Sequence, residues 1–175
     1  MKLSFSTRGW RDMPWSDQIR DASELRFQGI EVYNLHRCTA LTDRGGVFHK
    51  FSRNETMREL REHNLAVPCF DTSVNLGDPG ESISHAYDLF ECAGSMHVPY
   101  VAFCALRDDE NLIRKRISEL LPAAKSRNVC ILIKTVGIYA NTERLRMLMD
   151  DYACEISSPG SPRLMEVSKH GTDRS

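Results

Sequence analysis

Three ionisable side chains lie in or directly after short apolar runs, where they could act together in acid–base chemistry. Glu31 lies within the run GIEVY, Asp71 follows the pair CF, and Lys134 ends the run VCILIK. Carboxylates and an ammonium brought together can take acid–base and electrostatic roles. These three residues are therefore the candidates for catalysis.

Each of the three also has a structural interpretation that the sequence leaves open. Glu31 can be a buried carboxylate that needs a partner in either role. Asp71 can accept a hydrogen bond from the backbone amide of Thr72 or Ser73. Lys134 can neutralise a nearby Asp or Glu, pair with a phosphate, or, if desolvated, act as a base or Schiff-base nucleophile.

The apolar runs alternate with longer segments of helical periodicity, which predicts five strand–helix units. The predicted strands are 3–7, 30–34, 66–71, 99–105 and 129–134. Gly29 is expected to end the first helix in a left-handed conformation, and Asp108 or Asp109 to cap the helix before the fifth strand. Repeating units of this kind form a parallel sheet with right-handed crossovers.

Composition predicts one globular domain. The chain has 175 residues, of which 41% are hydrophobic and 27% charged, with 23 basic and 24 acidic side chains. Balanced charge gives no general reason to bind nucleic acid, and no segment has the length of a membrane span or a secretion signal. We expect a cytoplasmic protein. The six cysteines contain no CxxC pair that would indicate a zinc or redox motif.

Two parallel folds fit this pattern, a doubly wound sheet and a (β/α)8 barrel. The first predicted strand leads into STRGW, which contains neither a GxGxxG turn nor a P-loop. A flavodoxin-like binding domain is therefore the less favoured of the two. A complete barrel usually needs roughly 250 residues, so this chain would supply about five of its eight units.

Several segments, taken in order, resemble the sugar phosphate isomerase/epimerase family of the xylose isomerase-like TIM barrel superfamily. They are KLSFSTRGW, FQGIEVYN, GGVFHK, PCFDTSVN, MHVPYVAFCAL and ILIKTVGIYANTERLRMLMD. The resemblance covers about residues 1–154 and implies a barrel with a divalent metal (Mn, Mg or Zn). In that family Glu, Asp, His and Glu from the later strands typically hold the metal. The Gly-Ile-Glu pattern around Glu31 also looks like a structural element of the superfamily.

The resemblance and the barrel geometry together indicate which residues would contact substrate, since strand C-termini face the active site of a barrel. The expected substrate-binding residues are Arg8, Tyr33, Asn34 and Thr135. His49, in the long connection 35–54, could fold over the mouth and contact a sugar hydroxyl or phosphate, although a solvated loop histidine is the simpler interpretation.

Lys134 stands where the family usually has a metal-binding Glu. A protonated lysine has three donors and no acceptor, so it cannot ligate a cation. The later ligands are also missing, because residues 155–175 are rich in Ser, Pro, Gly and charge. We expect this segment to be disordered or irregular, with a short extended piece at 164–167 as the alternative.

The implied activity is proton transfer next to a carbonyl of a sugar or sugar phosphate, in carbohydrate metabolism. The alternative is a truncated, catalytically silent barrel fragment that acts in binding or association. An endonuclease IV-like hydrolase is disfavoured by the neutral charge and the six histidines. A partial barrel would expose strand edges, so we expect a homo-oligomer that covers them.

Overall fold

The computed structural model describes residues 3–10, 12–107, 109–153 and 165–167, and its strands form one parallel sheet. The six strands follow one another in the order β1-β2-β3-β4-β5-β6. Their bounds are Ser4–Ser6 (β1), Gly29–Tyr33 (β2), Cys69–Asn75 (β3), Tyr100–Cys104 (β4), Cys130–Lys134 (β5) and Met165–Val167 (β6). The sequential order confirms the predicted partial barrel and excludes the flavodoxin arrangement, which requires a different strand order.

Helices connect successive strands. They are Trp15–Glu24 (α1), Thr39–Thr42 (α2), Arg53–Glu62 (α3), Ser84–Ser95 (α4), Glu110–Ser126 (α5) and Thr142–Ala153 (α6). Short 3₁₀ helices occupy Thr7–Gly9, Leu35–Arg37 and Gly137–Ala140. The predicted cap of α5 is present, since Asp109 accepts a hydrogen bond from the Leu112 amide at 2.9 Å.

The sheet has one face packed against helices and one face turned to the barrel interior, because successive side chains of a strand alternate in direction. Buried residues such as Val32, Phe70, Phe103 and Ile133 belong to the main core with the helices. The alternate positions of β3, β4 and β5 form a separate small cluster of Cys69, Ala102 and Leu132, with Tyr100 against it. This second face carries the candidate catalytic side chains.

The third strand is displaced from its predicted position. Residues 66–71 were expected to form it, but Ala66 makes only an isolated bridge with Gly29, and β3 begins at Cys69. Pro68 lacks a backbone amide for continuous pairing. The polar stretch after Asp71 continues the strand through a register shift between Asp71 and Asn75.

The first helix does not end as predicted. Arg26, with φ of 60°, takes the left-handed conformation that was expected of Gly29. Gly29 instead begins β2 opposite Ser4. A Cβ at position 29 would lie 3.0 Å from the Ser4 Cβ and 3.3 Å from the Ala66 carbonyl oxygen, so a side chain there would crowd the neighbouring backbone.

A short part of the polar C-terminal segment forms a strand. Residues 165–167 pair with β5 in parallel, with Leu132 opposite Met165 and Lys134 opposite Val167. This agrees with the extended piece that the sequence offered as the alternative. The rest of the predicted tail, residues 155–164 and 168–175, lies outside the described residues. Among the described residues, no helix combines the length and apolar character needed to cross a membrane.

Candidate active site

Lys134 and Asp71 are the two most buried charged residues in the described part of the chain, with 5% and 3% of their surfaces exposed. Lys134 Nζ donates a hydrogen bond to Asp71 Oδ2. The two residues lie on β5 and β3, on either side of β4. Charges buried this deeply are stable only when they are paired, so each residue holds the other in the sheet.

A local irregularity of β3 positions the Asp71 carboxylate. Ser73 has a left-handed backbone, with φ of 56°, and its amide donates to Asp71 Oδ1 at 3.0 Å. Thr72 Oγ1 donates to the Ala102 carbonyl at 2.8 Å and accepts from the Val74 amide at 3.0 Å. Both Asp71 oxygens are therefore engaged, one by an ammonium and one by a backbone amide. Two structural interpretations offered by the sequence are thus present: Asp71 accepts from the Ser73 amide, and Lys134 neutralises Asp71.

Glu31 lies on β2, on the same face of the sheet as Asp71 but nearer the N-terminal ends of the strands. The register that places Tyr33 opposite Asp71 places Glu31 beside Cys69. Burial, together with the negative charges of Glu31 and Asp71, raises the pKa of the Cys69 thiol to about 12. Cys69 is therefore a neutral, buried thiol. Glu31 is half-buried and thus more open to a ligand than Asp71.

Three of the predicted substrate-binding residues come together next to the Lys134–Asp71 pair. Tyr33 lies opposite Asp71 in the sheet, and the Asn34 amide donates to the Asp71 carbonyl oxygen. The Arg8 guanidinium lies over the Tyr33 ring, 5.2 Å from its centroid. Thr7 Oγ1 accepts from the Tyr33 amide at 2.9 Å and joins the ends of β1 and β2.

A cavity of about 200 Å³ opens beside these residues. Tyr33, Asn34 and Thr7 line it together with Gln18 from α1 and Arg37 from the loop after β2. Gln18 was not predicted from the sequence. Gln18 lies on the buried side of α1 among apolar residues. It differs from its neighbours there because a polar amide is seldom buried.

His49 and Thr135 occupy different surroundings. His49 lines a second cavity of about 380 Å³, between the long loop and α4, together with Arg53 and Asp88. That cavity shares no lining residue with the one beside Tyr33. Thr135 directly follows Lys134 and is half-buried. The substrate contacts of both residues stay predictions.

Arg116 of α5 is a buried residue that sequence analysis did not single out. Its guanidinium donates to the carbonyl oxygens of Asn75, Leu76, Asp78 and Glu81, at 2.6 to 3.3 Å. These bonds fix the loop that leaves the C-terminal end of β3. No local motif reveals such a role, because the four acceptors are backbone atoms at least 35 positions away in sequence.

The residues at this site do not fit the divalent metal that the family resemblance implies. Where a ligand carboxylate would be needed on β5, the Lys134 ammonium lies against Asp71. In the described ranges, no three His, Cys, Asp or Glu side chains are grouped as metal ligands. A cation here would face the buried positive charge of Lys134, which disfavours its binding.

No protein-family model matches the chain, and neither does any curated protein sequence. Solved structures do match it in fold. The probable 3-DHS dehydratase AsbF of Bacillus anthracis superposes with a TM-score of 0.71 at 16% identity, over 96% of this chain and 62% of that one. The 3-keto-D-glucoside 4-epimerase YcjR of E. coli gives 0.72 at 10% identity, over 99% and 72%. IolI, with a bound zinc atom, gives 0.61 at 17% identity, over 77% and 51%.

These similarities define the class of fold. The described strands and helices form part of a TIM barrel, the fold that the resemblance in the sequence implied. The chain spans 62% and 51% of the lengths of AsbF and IolI. At identities of 10 to 17% the similarity establishes the fold alone.

Proposed function

We propose that the C-terminal edge of this sheet binds a sugar or sugar phosphate and transfers a proton next to its carbonyl group. The observation that carries the proposal is the buried Lys134–Asp71 pair on the interior face of the barrel. Active sites of TIM barrels lie at the C-terminal ends of the strands. Lys134, the last residue of β5, meets that rule.

In the proposed reaction, Lys134 supplies the positive charge that stabilises the enediolate. An ammonium carries three N–H donors, and Asp71 takes one of them. Another can donate to the carbonyl oxygen of the sugar as negative charge develops there. Asp71 keeps the ammonium oriented and supplies no metal ligand. It is therefore proposed as a positioning residue with electrostatic influence on the site.

Glu31 is the proposed base. Its carboxylate is half-buried and lies on the same face as the pair, whereas both oxygens of Asp71 already accept hydrogen bonds. The proton would leave the carbon next to the carbonyl, and its return to the opposite face of that carbon would give the epimer. Its return to the former carbonyl carbon, while the proton of the neighbouring hydroxyl moves to the former carbonyl oxygen, would give the isomer. Arg8, exposed and stacked on Tyr33, is the proposed contact for a phosphate group.

Deuterium exchange tests the reaction without knowledge of the product. The chain is incubated in D₂O with D-fructose or D-fructose 6-phosphate, and loss of the proton signal next to the carbonyl is followed by NMR. We expect exchange with the wild type and, in Lys134→Met, a rate about 100-fold lower, as is typical when a group stabilising an oxyanion is removed. Lys125→Met is the matched control, since Lys125 is exposed on α5. Equal exchange in both variants contradicts the proposal.

A second candidate function, ligand binding without turnover, is favoured by a specific observation. Lys134 and Asp71 are bound to each other, so each charge already has a partner within the sheet. Isothermal titration with the same two sugars separates the candidates. Binding with no exchange above that of buffer supports a silent site, whereas exchange that depends on Lys134 supports the enzyme.

We also propose that a second copy of the chain covers an edge of the sheet. Within the described strands, β1 pairs only with β2, and β6 only with β5. Unpaired edges offer backbone donors and acceptors to another chain. Light scattering across a range of concentrations tests this, and a monomer at all concentrations contradicts it.

A further inference from the structure

We infer that Thr72 is a positioning residue of the candidate active site, because its hydroxyl group holds the Asp71 carboxylate in the orientation that binds Lys134. This role rests on the proposed function, since it names the group that gives the ammonium a fixed direction for catalysis. Thr72 is fully buried, with 0% of its surface exposed, and it acts through Asp71, the preceding residue in the chain.

The third strand has two extra residues at the position of the site. Asp71 lies opposite Ala102 and Asn75 lies opposite Cys104, so four residue steps of β3 run beside two steps of β4. Insertions of this kind bend a strand and turn its side chains in a new direction, and they are common next to active sites. The irregularity begins directly after Asp71, so it determines the direction of the carboxylate.

The Thr72 hydroxyl closes this irregularity at two points. It donates to the Ala102 carbonyl oxygen of β4, at 2.8 Å, and accepts from the Val74 amide, at 3.0 Å. Both partners are buried, so water cannot readily take the place of the hydroxyl. The two bonds hold the backbone on either side of Ser73, the residue between Thr72 and Val74.

Ser73 has a backbone conformation that a serine seldom adopts. Its φ is 56°, in the left-handed region, where a residue other than glycine is strained unless the surrounding contacts fix it. This conformation directs the Ser73 amide to Asp71 Oδ1, at 3.0 Å, while Asp71 Oδ2 accepts from Lys134 Nζ. The bonds of the Thr72 hydroxyl offset the strain and thereby fix the carboxylate against the ammonium.

Loss of the hydroxyl would leave the Ala102 carbonyl and the Val74 amide without this partner. Buried backbone groups that lack a partner cost free energy, so the backbone is expected to rearrange until both are satisfied. Relaxation of Ser73 to an extended conformation would withdraw its amide from Asp71. The carboxylate would then be free to rotate, and the Lys134 ammonium would lose its fixed direction.

NMR of the Lys134 ammonium tests this role without a substrate. The lysines are labelled with ¹⁵N and ¹³C, and the Lys134 signals are identified by their loss in Lys134→Met. The measured quantity is the rate at which the ammonium protons exchange with water, which is slow only while the group is buried and bound. Thr72→Val and Thr72→Ala remove the hydroxyl, whereas Thr72→Ser retains it.

Thr56→Val is the matched control. Thr56 is also buried, with 2% of its surface exposed, and its hydroxyl also donates to backbone carbonyl oxygens, those of Val47 and Ser52. It lies on α3, in the outer layer of helices. Both valine variants therefore lose a buried bond from a hydroxyl to a carbonyl, and only Thr72→Val loses one that fixes Asp71.

We expect Thr72→Val and Thr72→Ala to speed the exchange of the Lys134 ammonium protons about fivefold or more, as loss of one hydrogen bond implies. Thr72→Ser should restore the rate of the wild type, and Thr56→Val should leave that rate unchanged. Equal rates in Thr72→Val and the wild type, equal acceleration in both valine variants, or no rescue by serine would each overturn the inference. Failure of both Thr72→Val and Thr72→Ala to fold would also overturn it, because Thr72 would then support the fold as a whole.

The outcome is separable from that of the proposed function. Faster exchange of the ammonium protons in Thr72→Val, with no deuterium incorporated into D-fructose by the wild type, would support the role of Thr72 and contradict the proposed reaction. Deuterium incorporation that depends on Lys134, with ammonium protons unaffected by Thr72→Val, would do the reverse.

Discussion

Removing one partner of the Lys134–Asp71 pair should destabilise the fold strongly. In Lys134→Met the Asp71 carboxylate stays buried, and of its two hydrogen bonds only the one from the Ser73 amide, at 3.0 Å, remains. Leaving one charge of a buried pair uncompensated costs about 3–5 kcal/mol. Because the bond from the Ser73 amide is retained, we expect Lys134→Met to lower the free energy of unfolding by about 3 kcal/mol, the lower end of that range.

Urea unfolding of four proteins measures this cost: the wild type, Lys134→Met, Asp71→Asn and the double variant. The double variant removes both charges, so it should be more stable than the sum of the single losses implies, by about 2 kcal/mol or more. Arg58→Met is the control. Arg58 contacts Glu55 and Glu62 across 3.6 and 3.8 Å with two thirds of its side chain exposed, and should change stability by less than about 0.5 kcal/mol.

Additive single losses, or a loss below about 1 kcal/mol in Lys134→Met, would refute the reasoning. Either result would mean that the two charges are solvated and independent in solution. The site would then lack the fixed ammonium on which the proposed chemistry depends.

Three further predictions follow from single contacts. Arg116→Met should lose about 2–4 kcal/mol and speed hydrogen exchange in the loop after β3, because four carbonyl oxygens lose their donor; unchanged exchange there contradicts it. At pH 8, Cys69 should be alkylated at least ~100-fold more slowly than half-buried Cys38, because the pKa of Cys69 is raised to about 12 and the thiolate is the reactive form. Mass spectrometry of tryptic peptides measures both rates, and similar rates would refute the prediction. Gly137→Ala should lower the free energy of unfolding in urea by about 2 kcal/mol or more, because φ is 63° and the new Cβ would collide with the Ala105 carbonyl oxygen. Gly9→Ala is the control and should be near neutral, because the space around that site is open.

The strand order and fold class were predictable because both follow from patterns that act locally. Continuous apolar runs such as 129–134 are typical of parallel strands covered on both faces, and alternation with helical segments fixes the topology. The prediction failed where a local signal competed with tertiary contacts. The sequence predicted that Gly29 ends the first helix. In the structure Gly29 belongs to β2 and lies close to Ser4 of β1.

The candidate site was only partly predictable. Strand-end positions identified Lys134, Asp71 and Tyr33, and the structure brings them next to one another. The sequence alone could not choose among the roles open to Lys134, because its contact with Asp71 spans 63 positions. Gln18 escaped notice because an unpartnered amide oxygen becomes visible only when its surroundings are known.

A crystal structure of the chain soaked with D-fructose would test the proposed site most directly. We expect the sugar carbonyl oxygen within about 3.2 Å of Lys134 Nζ. A sugar bound away from Lys134, or a Lys134–Asp71 pair closed off from the ligand, would contradict the proposed function.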